Sequence, residues 1–216
     1  MKVFIAAMPN EAQCVIAHLA GIKESFIHGR RVVTGTLNGE RTAVVVSGIG
    51  KVNAAAAAQM AISELKAGLI VNFGVAGGFD PAMNVGDVYA IDRAVEYDFD
   101  LAKLNGTLPG TLDERADPYI PLAVSGDWPA RTLGSGDRFT DDDSDLPLLR
   151  RLGITVRDME GAAIAHVCET AGVEARIFKC ISDVHGLGPM TGQFRANISR
   201  CLDILANFIR QSAAEN

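Results

Sequence analysis

Four acidic residues sit where short apolar runs end. Glu11 follows the run KVFIAA near the start of the chain, Asp158 and Glu160 flank Met159 in RDMEGAAIAHV (157–167), and Asp183 ends IFKCISD. Two or three carboxylates around a partly apolar pocket suit cleavage of a glycosidic bond. One acid with a raised pKa protonates the leaving group, and another orients water against a cationic sugar carbon. Each residue also has a plainer reading. Glu11, Asp158 and Glu160 fit the first turn of a helix, where the dipole favours negative charge, and Asp183 fits an N-cap. Their common place at strand ends is what raises the catalytic reading.

The glycine segments and the acidic loop carry weaker signals. SGIGKV (47–52) begins with Ser47 at the end of the run TAVVVS. It is not a phosphate-binding P-loop, because Val45 stands where that motif needs glycine and Val52 where it needs Ser or Thr. GVAGG (74–78), with its Gly77-Gly78 pair, is not a dinucleotide fingerprint. Both segments read either as tight turns or as bare backbone that a small ligand can approach. DRFTDDDSD (137–145) lacks calcium-loop spacing and reads as a solvated loop capping a short helix. Phe139 within it could stack on a flat ring or plug the core. The four histidines share no spacing, and His166, inside an apolar segment, reads as a core histidine.

These residues need elements to hold them. Apolar runs predict strands over 2–7, 26–27, 31–37, 41–47, 69–73, 85–91, 132–135, 155–157 and 175–182. Asn38-Gly39 between two of the runs is a hairpin signal. Helical spacing covers 11–19, 51–65, 146–152, 161–171 and 193–212. Residues 74–78 are read as closing the strand before them. Residues 100–129, with four prolines, are read as an irregular flap or interface. Strands alternating with helices imply an α/β fold with a mostly parallel or mixed sheet covered on both faces. Ligands in such folds sit at the carboxyl ends of the strands. Glu11, Ser47, Gly74–Gly78, Glu160 and Asp183 all map to that edge.

The totals bound the function. The chain has 216 residues, 48% hydrophobic and 21% charged, with net charge −6 and no basic stripe. This composition fits a single globular domain over 1–216 and argues against nucleic-acid binding. The four cysteines form no CxxC pair and no zinc spacing, so no metal is expected and a reducing, cytoplasmic compartment is. No stretch has the length of a membrane span, and the N-terminal run reads as a strand, not a leader.

Taken in order, AAMPNEA, SGIGKVNAA, NFGVAGGFDPAMNVGDV, SGDRF, DMEGAAIAHVC and KCISD resemble the purine nucleoside phosphorylase/uridine phosphorylase superfamily, in particular its bacterial 5′-methylthioadenosine/S-adenosylhomocysteine nucleosidases. The resemblance runs from Lys2 to about Phe208. It implies a three-layer αβα fold with a mixed central sheet, a homodimer, and no metal or organic cofactor. It also implies a cytoplasmic enzyme of methionine salvage that hydrolyses the N-glycosidic bond of adenine nucleosides bearing a 5′-thioether, releasing adenine and a 5-thioribose. Carried over by position, Glu11 activates the water, Asp183 protonates adenine N7, and Glu160 holds the ribose hydroxyls with Met159 packed on the sugar. Ser47 lies near water and ribose, Phe139 stacks on adenine, and Thr140 binds the purine edge through its backbone. Gly77 and Gly78 let the backbone approach base and sugar, and Met8 and Phe194 line the 5′ pocket. On this reading Asp183 is an acid raised by burial, and Glu11 stays ionised.

Three departures from the family pattern stand out. Lys179 occupies a position where arginine is common, as a point donor near water or ribose. Pro9-Asn10 replaces a more acidic lead into Glu11. The segment VHGLGPMTGQF after Asp183 is short and glycine-rich, which bears on the 5′ group. The competing readings are a phosphate-dependent phosphorylase, a nucleosidase for another 5′-substituted purine nucleoside (futalosine, 5′-deoxyadenosine or an adenosyl-lipid), and a nucleoside-binding protein without catalysis. An acid at position 11 would repel phosphate, which favours hydrolysis.

Overall fold

The computed structural model describes residues 1–112, 114–124 and 126–212. Asp113 and Ser125 of the proline-rich stretch, and the last four positions of the expected 1–216 domain, lie outside the described residues. The first half of the chain forms β1 (Lys2–Ala6), α1 (Pro9–Ile16), β2 (Ala20–Ile27), β3 (Arg30–Leu37), β4 (Glu40–Val46), α2 (Lys51–Ser63), β5 (Leu69–Gly78) and β6 (Val88–Glu96). Then follow α3 (Ala102–Asn105), β7 (Ile120–Pro121), β8 (Ala130–Ser135), α4 (Leu146–Arg151), β9 (Val156–Asp158), α5 (Gly161–Ala171), β10 (Glu174–Val184) and α6 (Met190–Ser212).

The strands join in one mixed sheet in the order β10-β6-β8-β9-β5-β1-β4-β3-β2. β10 also pairs with β5, so β5, β10, β6, β8 and β9 close on themselves while β1, β4, β3 and β2 extend as an open wing. The pairs β1–β4, β1–β5 and β5–β10 are parallel, and β2–β3 and β3–β4 are antiparallel. The β3–β4 hairpin turns at Asn38 and Gly39, both with positive φ, the geometry that this dipeptide favours.

Alternation along β1 explains the layers. Phe4 and Ala6 pack towards α1 and α6, against Val15, Ile16, Leu205 and Phe208. Val3 and Ile5 pack on the opposite face, against the alanines of α2 and Ala163, Ile164 and Cys168 of α5. A strand apolar on both faces is what a covered sheet demands. The four alanines Ala54, Ala57, Ala58 and Ala61 let α2 lie close to that face.

Several expectations are corrected. The glycine run 74–78 does not close β5 but continues it, with Gly74, Gly77 and Gly78 paired to Lys179, Asp183 and Val184. β2 is far longer than its two predicted residues, because Gly21 at φ +64° lets the chain bend into an exposed edge strand. The first helix stops at Ile16 instead of Leu19, and β6 begins at Val88 after a turn at Gly86. The proline-rich stretch contains α3 and β7. His166 is not a core residue: its ring sits between Glu96, 3.0 Å from Nδ1, and Glu114, 2.9 Å from Nε2.

Candidate active site

The carboxyl ends of the parallel strands β1, β5 and β10, together with β9, which runs antiparallel to β5 and brings Arg157 and Asp158 beside Gly77, surround one cavity. Its lining includes Met8, Glu11, Ile49, Gly77, Phe139, Arg157, Asp158, Met159, Glu160, Ser182, Asp183 and Phe194. Residues far apart in the chain meet there because parallel strands end on the same edge.

Glu11 enters from α1. Met8 is extended (φ −113°, ψ 149°) as the N-cap, Pro9 opens the first turn, and Glu11 folds back. Its Oε2 accepts the Met8 N–H at 3.0 Å, and its Oε1 accepts the Val75 N–H at 3.0 Å. So Glu11 is both the first-turn acid of a helix and a wall of the cavity. It is 3% exposed. Burial raises its pKa above the ordinary carboxylate value, opposed by the Val75 N–H and by the charge of Lys179. Gly74 makes this approach feasible, since a Cβ there would stand 2.5 Å from Glu11 Oε1.

Glu160 caps α5, and its Oε1 accepts the N–H of Gly50, itself the N-cap of α2, at 2.8 Å. Burial, then the Asp158 charge, lift its pKa to about 7, against the pull of Lys179. Asp158 lies beneath. Its Oδ2 faces Lys179 Nζ at 2.8 Å and accepts the Gly161 N–H at 2.9 Å, and Ser135 Oγ donates to its other oxygen. Both side chains of that ion pair are 2% exposed. Burial alone would lower the pKa of Lys179, but Asp158 and Glu160 outweigh it and raise it. Lys179 is therefore the buried counter-charge to a carboxylate cluster.

Asp183 comes from the end of β10. Ser182 Oγ donates to its Oδ2 at 2.6 Å, and burial raises its pKa, with the Ser182 bond and the Arg157 charge opposing. Here again a glycine makes room: a Cβ on Gly77 would lie 3.0 Å from Asp183 Oδ1 and 2.8 Å from Met190 Cε. Phe139, 48% exposed, and Phe194 meet edge to face across the mouth, with centroids 5.8 Å apart.

Ser47, Gly78, Thr140 and Lys179 stand outside this lining. Ser47 Oγ is turned to the backbone, donating to Gly48 O at 2.8 Å. Gly78 faces Ile181 and Met83. The carbonyl of Thr140 accepts Arg157 Nη2 at 3.2 Å. Lys179 lies below the floor, held by Asp158. Glu11 and Asp183 both have raised pKa values, whereas the sequence reading expected this only of Asp183.

Arg157 is a wall residue that the sequence does not single out, and Asp158, one of the four acids noted there, was given no role in the site. Arg157 lies over the ring of Phe79, 4.8 Å from its centroid, and reaches Asp145 at 3.3 Å. An arginine in a three-residue strand has no periodicity to mark it as buried. Among the described residues, no group of three or more His, Cys, Asp or Glu side chains is arranged to hold a metal ion. No helix there is long and apolar enough to cross a membrane.

Charge, burial and geometry make this cavity suited to acid-assisted cleavage beside a cationic carbon. Comparison with known proteins points the same way. The model of the phosphorylase superfamily matches residues 2–213. The 5′-methylthioadenosine/S-adenosylhomocysteine nucleosidase of Marinomonas sp. is 31% identical over 196 residues, covering 84% of this chain and 85% of that protein. The nucleosidase of that name from S. pneumoniae, solved with the transition-state inhibitor MT-ImmA, superposes with a TM-score of 0.86 at 24% identity, covering 97% of each chain. A futalosine hydrolase mutant of Helicobacter pylori superposes with a TM-score of 0.91 at 21% identity, covering 100% of this chain and 99% of that one. The chain belongs to the phosphorylase superfamily, in the family of the 5′-methylthioadenosine/S-adenosylhomocysteine nucleosidases.

Proposed function

We propose that this protein, acting as one domain, hydrolyses the N-glycosidic bond of adenine nucleosides that carry a 5′-thioether, releasing adenine and a 5-thioribose. The observation that carries this reading is the meeting of Glu11, Glu160 and Asp183 in one cavity under Phe139. As the bond to N9 lengthens, positive charge grows on the sugar and negative charge on the purine. Asp183, whose pKa burial raises, delivers a proton to N7. Glu11, ionised once pH exceeds its raised pKa, orients water and faces the sugar cation. Glu160 accepts from the ribose hydroxyls and fixes the ring, with Met159 against it. Phe139 stacks on the base, and Met8 and Phe194 line the channel for the 5′ substituent.

Both buried cations near the site already have carboxylate partners, Lys179 with Asp158 and Arg157 with Asp145. Phosphate would meet mainly acids, so water is the acceptor. The exposed apolar residues Ile49 and Val52, 54% and 80% exposed beside the mouth, support a homodimer that covers this flank. The free thiols of Cys14, Cys168, Cys180 and Cys201 support a reducing, cytoplasmic setting. Light scattering coupled to gel filtration tests the dimer. Adenine release from methylthioadenosine, followed with and without phosphate, tests the reaction. Release is expected in both, and Asp183→Asn is expected to slow it by roughly 10²–10⁴. A strict phosphate requirement, or unaltered release by Asp183→Asn, overturns the reading.

A further inference from the structure

The strand that carries Asp183 is irregular at that residue. β10 pairs with β5 in step up to Ile181 opposite Ala76, and then slips so that Asp183 lies opposite Gly77. Ser182 is the extra residue. In a regular strand, successive side chains point to opposite faces. Here Ser182 and Asp183 both line the cavity, which only the bulge permits. A bulge breaks the ladder locally, and the freed backbone groups must find partners elsewhere.

α6 supplies them from a stripe of residues four apart. Asn197 Nδ2 donates to Ser182 O at 3.0 Å, and Cys201 Sγ adds a bond at 3.3 Å to Ile181 O, which also accepts the Gly86 N–H at 2.8 Å. Gln193 takes both sides of Val184, accepting its N–H at 3.0 Å and donating to its carbonyl at 3.0 Å. The same Gln193 amide reaches Gly188 O at 3.0 Å. Its amide thus stands in for a neighbouring strand, and the residues on both sides of Asp183 are pinned while Asp183 itself points inward.

We propose that Gln193 and Asn197 are positioning residues for Asp183: their side-chain amides hold the bulge of β10 in the shape that aims this carboxyl at the leaving base. The proposal rests on the proton-donor reading above. A proton donor must sit within hydrogen-bond reach of its acceptor, so a small rotation of the bulge removes its effect while the sugar pocket stays intact.

The test compares two leaving groups. The purified variants Asn197→Ala and Gln193→Glu are assayed on methylthioadenosine and on the 4-nitrophenyl 5-methylthio-riboside, whose phenolate departs without a proton. For Asn197→Ala, kcat on the nucleoside is expected to fall roughly 10–100-fold, part of the roughly 10²–10⁴ that proton transfer supplies, with KM little changed. On the nitrophenyl substrate kcat stays near wild type. In an Asp183→Asn background, Asn197→Ala adds no further loss, because both changes act on one step. Gln193→Glu keeps the acceptor for Val184 N–H and removes the donor, and it gives the same pattern if Asn197→Ala does not fold. Equal losses on both substrates, additive losses, or a wild-type kcat on the nucleoside overturn the proposal. Failure of the wild-type protein to cleave either substrate overturns the proposed function instead.

Discussion

Replacing Glu160 with glutamine should separate stability from function. Glu160 is buried beside Asp158, and its pKa stands at about 7 against an ordinary 4.5. Between those two values the folded protein holds a proton that the unfolded chain has released. Stability contributed by this group therefore falls as pH rises through that window, and stays reduced above it. At about 1.4 kcal/mol for each pH unit of displacement, the full penalty at pH 8.5 is about 3 kcal/mol. A glutamine carries no charge, and its amide oxygen still accepts the Gly50 N–H. Glu160 also feels the Glu11 charge across the cavity, a repulsion that the neutral amide removes. For a chain of this size 3 kcal/mol corresponds to roughly 6–12 °C in Tm. The assay is thermal unfolding of wild type and Glu160→Gln at pH 5 and pH 8.5, with adenine release measured alongside. The variant is expected to lie close to wild type at pH 5, only about half a unit inside the window, and to gain several degrees at pH 8.5. Its activity should fall, because a neutral amide holds the ribose hydroxyls less strongly. A Tm difference that is the same at both pH values, or a variant less stable at pH 8.5, would refute the reasoning.

Three further outcomes follow from the same geometry. Lys179→Met leaves Asp158 buried without its cation and should destabilise the fold by about 3–5 kcal/mol, with partial recovery in the double variant carrying Asp158→Asn, measured by denaturant unfolding. Gly74→Ala puts a methyl 2.5 Å from Glu11 Oε1, so the carboxylate must move and kcat should fall at least tenfold while the protein stays folded by circular dichroism. The pH profile of kcat/KM should be bell-shaped, with the acid limb above 4.5 as Glu11 gains its proton on falling pH, and the basic limb as Asp183 loses its own on rising pH. A profile flat across the acid range would remove Glu11 from the mechanism.

The alternating pattern of strands and helices was readable because apolar runs of fixed length leave few choices. Gly161–Ala171 was placed to the residue, bounded by a glycine at each end. What could not be read is where a strand continues through residues without side chains. GVAGG carries no apolar pattern, so it reads as a turn, yet its backbone pairs with β10 along its length because Glu11 and Asp183 need the space above it. The meeting of Glu11 and Asp183 was legible as a consequence of parallel strand ends sharing an edge, whereas Glu160 arrives from β9, which runs antiparallel to β5, and that direction is not written in the sequence. Arg157 and the burial of Lys179 depend on which face of a short or doubly covered strand each residue takes, and one sequence does not settle that. His166 looked like core because its neighbours in the chain are apolar, whereas its partners, Glu96 and Glu114, come from segments 70 and 52 residues away.

The charge balance of the cavity ties these points to the reaction. Asp158 in the cavity wall and Lys179 beneath it neutralise each other. That leaves Glu11 and Glu160 on the cavity wall, where the proposed reaction puts the sugar, each pushed up by burial and held down by the same lysine. Two anions close together in a dry site are unfavourable, so the resting protein keeps a proton there near neutral pH. A sugar that gains positive charge reverses this. It brings positive charge beside Glu11 and Glu160, and the attraction is strongest at the transition state, when the charge on the sugar is largest. On the proposed mechanism, the repulsion that weakens the fold at high pH is the same electrostatic term that binds the transition state more tightly than the substrate. It follows that a neutral substrate and a cationic sugar mimic should part company on titration. The affinity of the mimic should climb as pH rises through about 7, where Glu160 ionises, while that of the substrate changes little. If both rise together, the stored repulsion does not act on the developing charge.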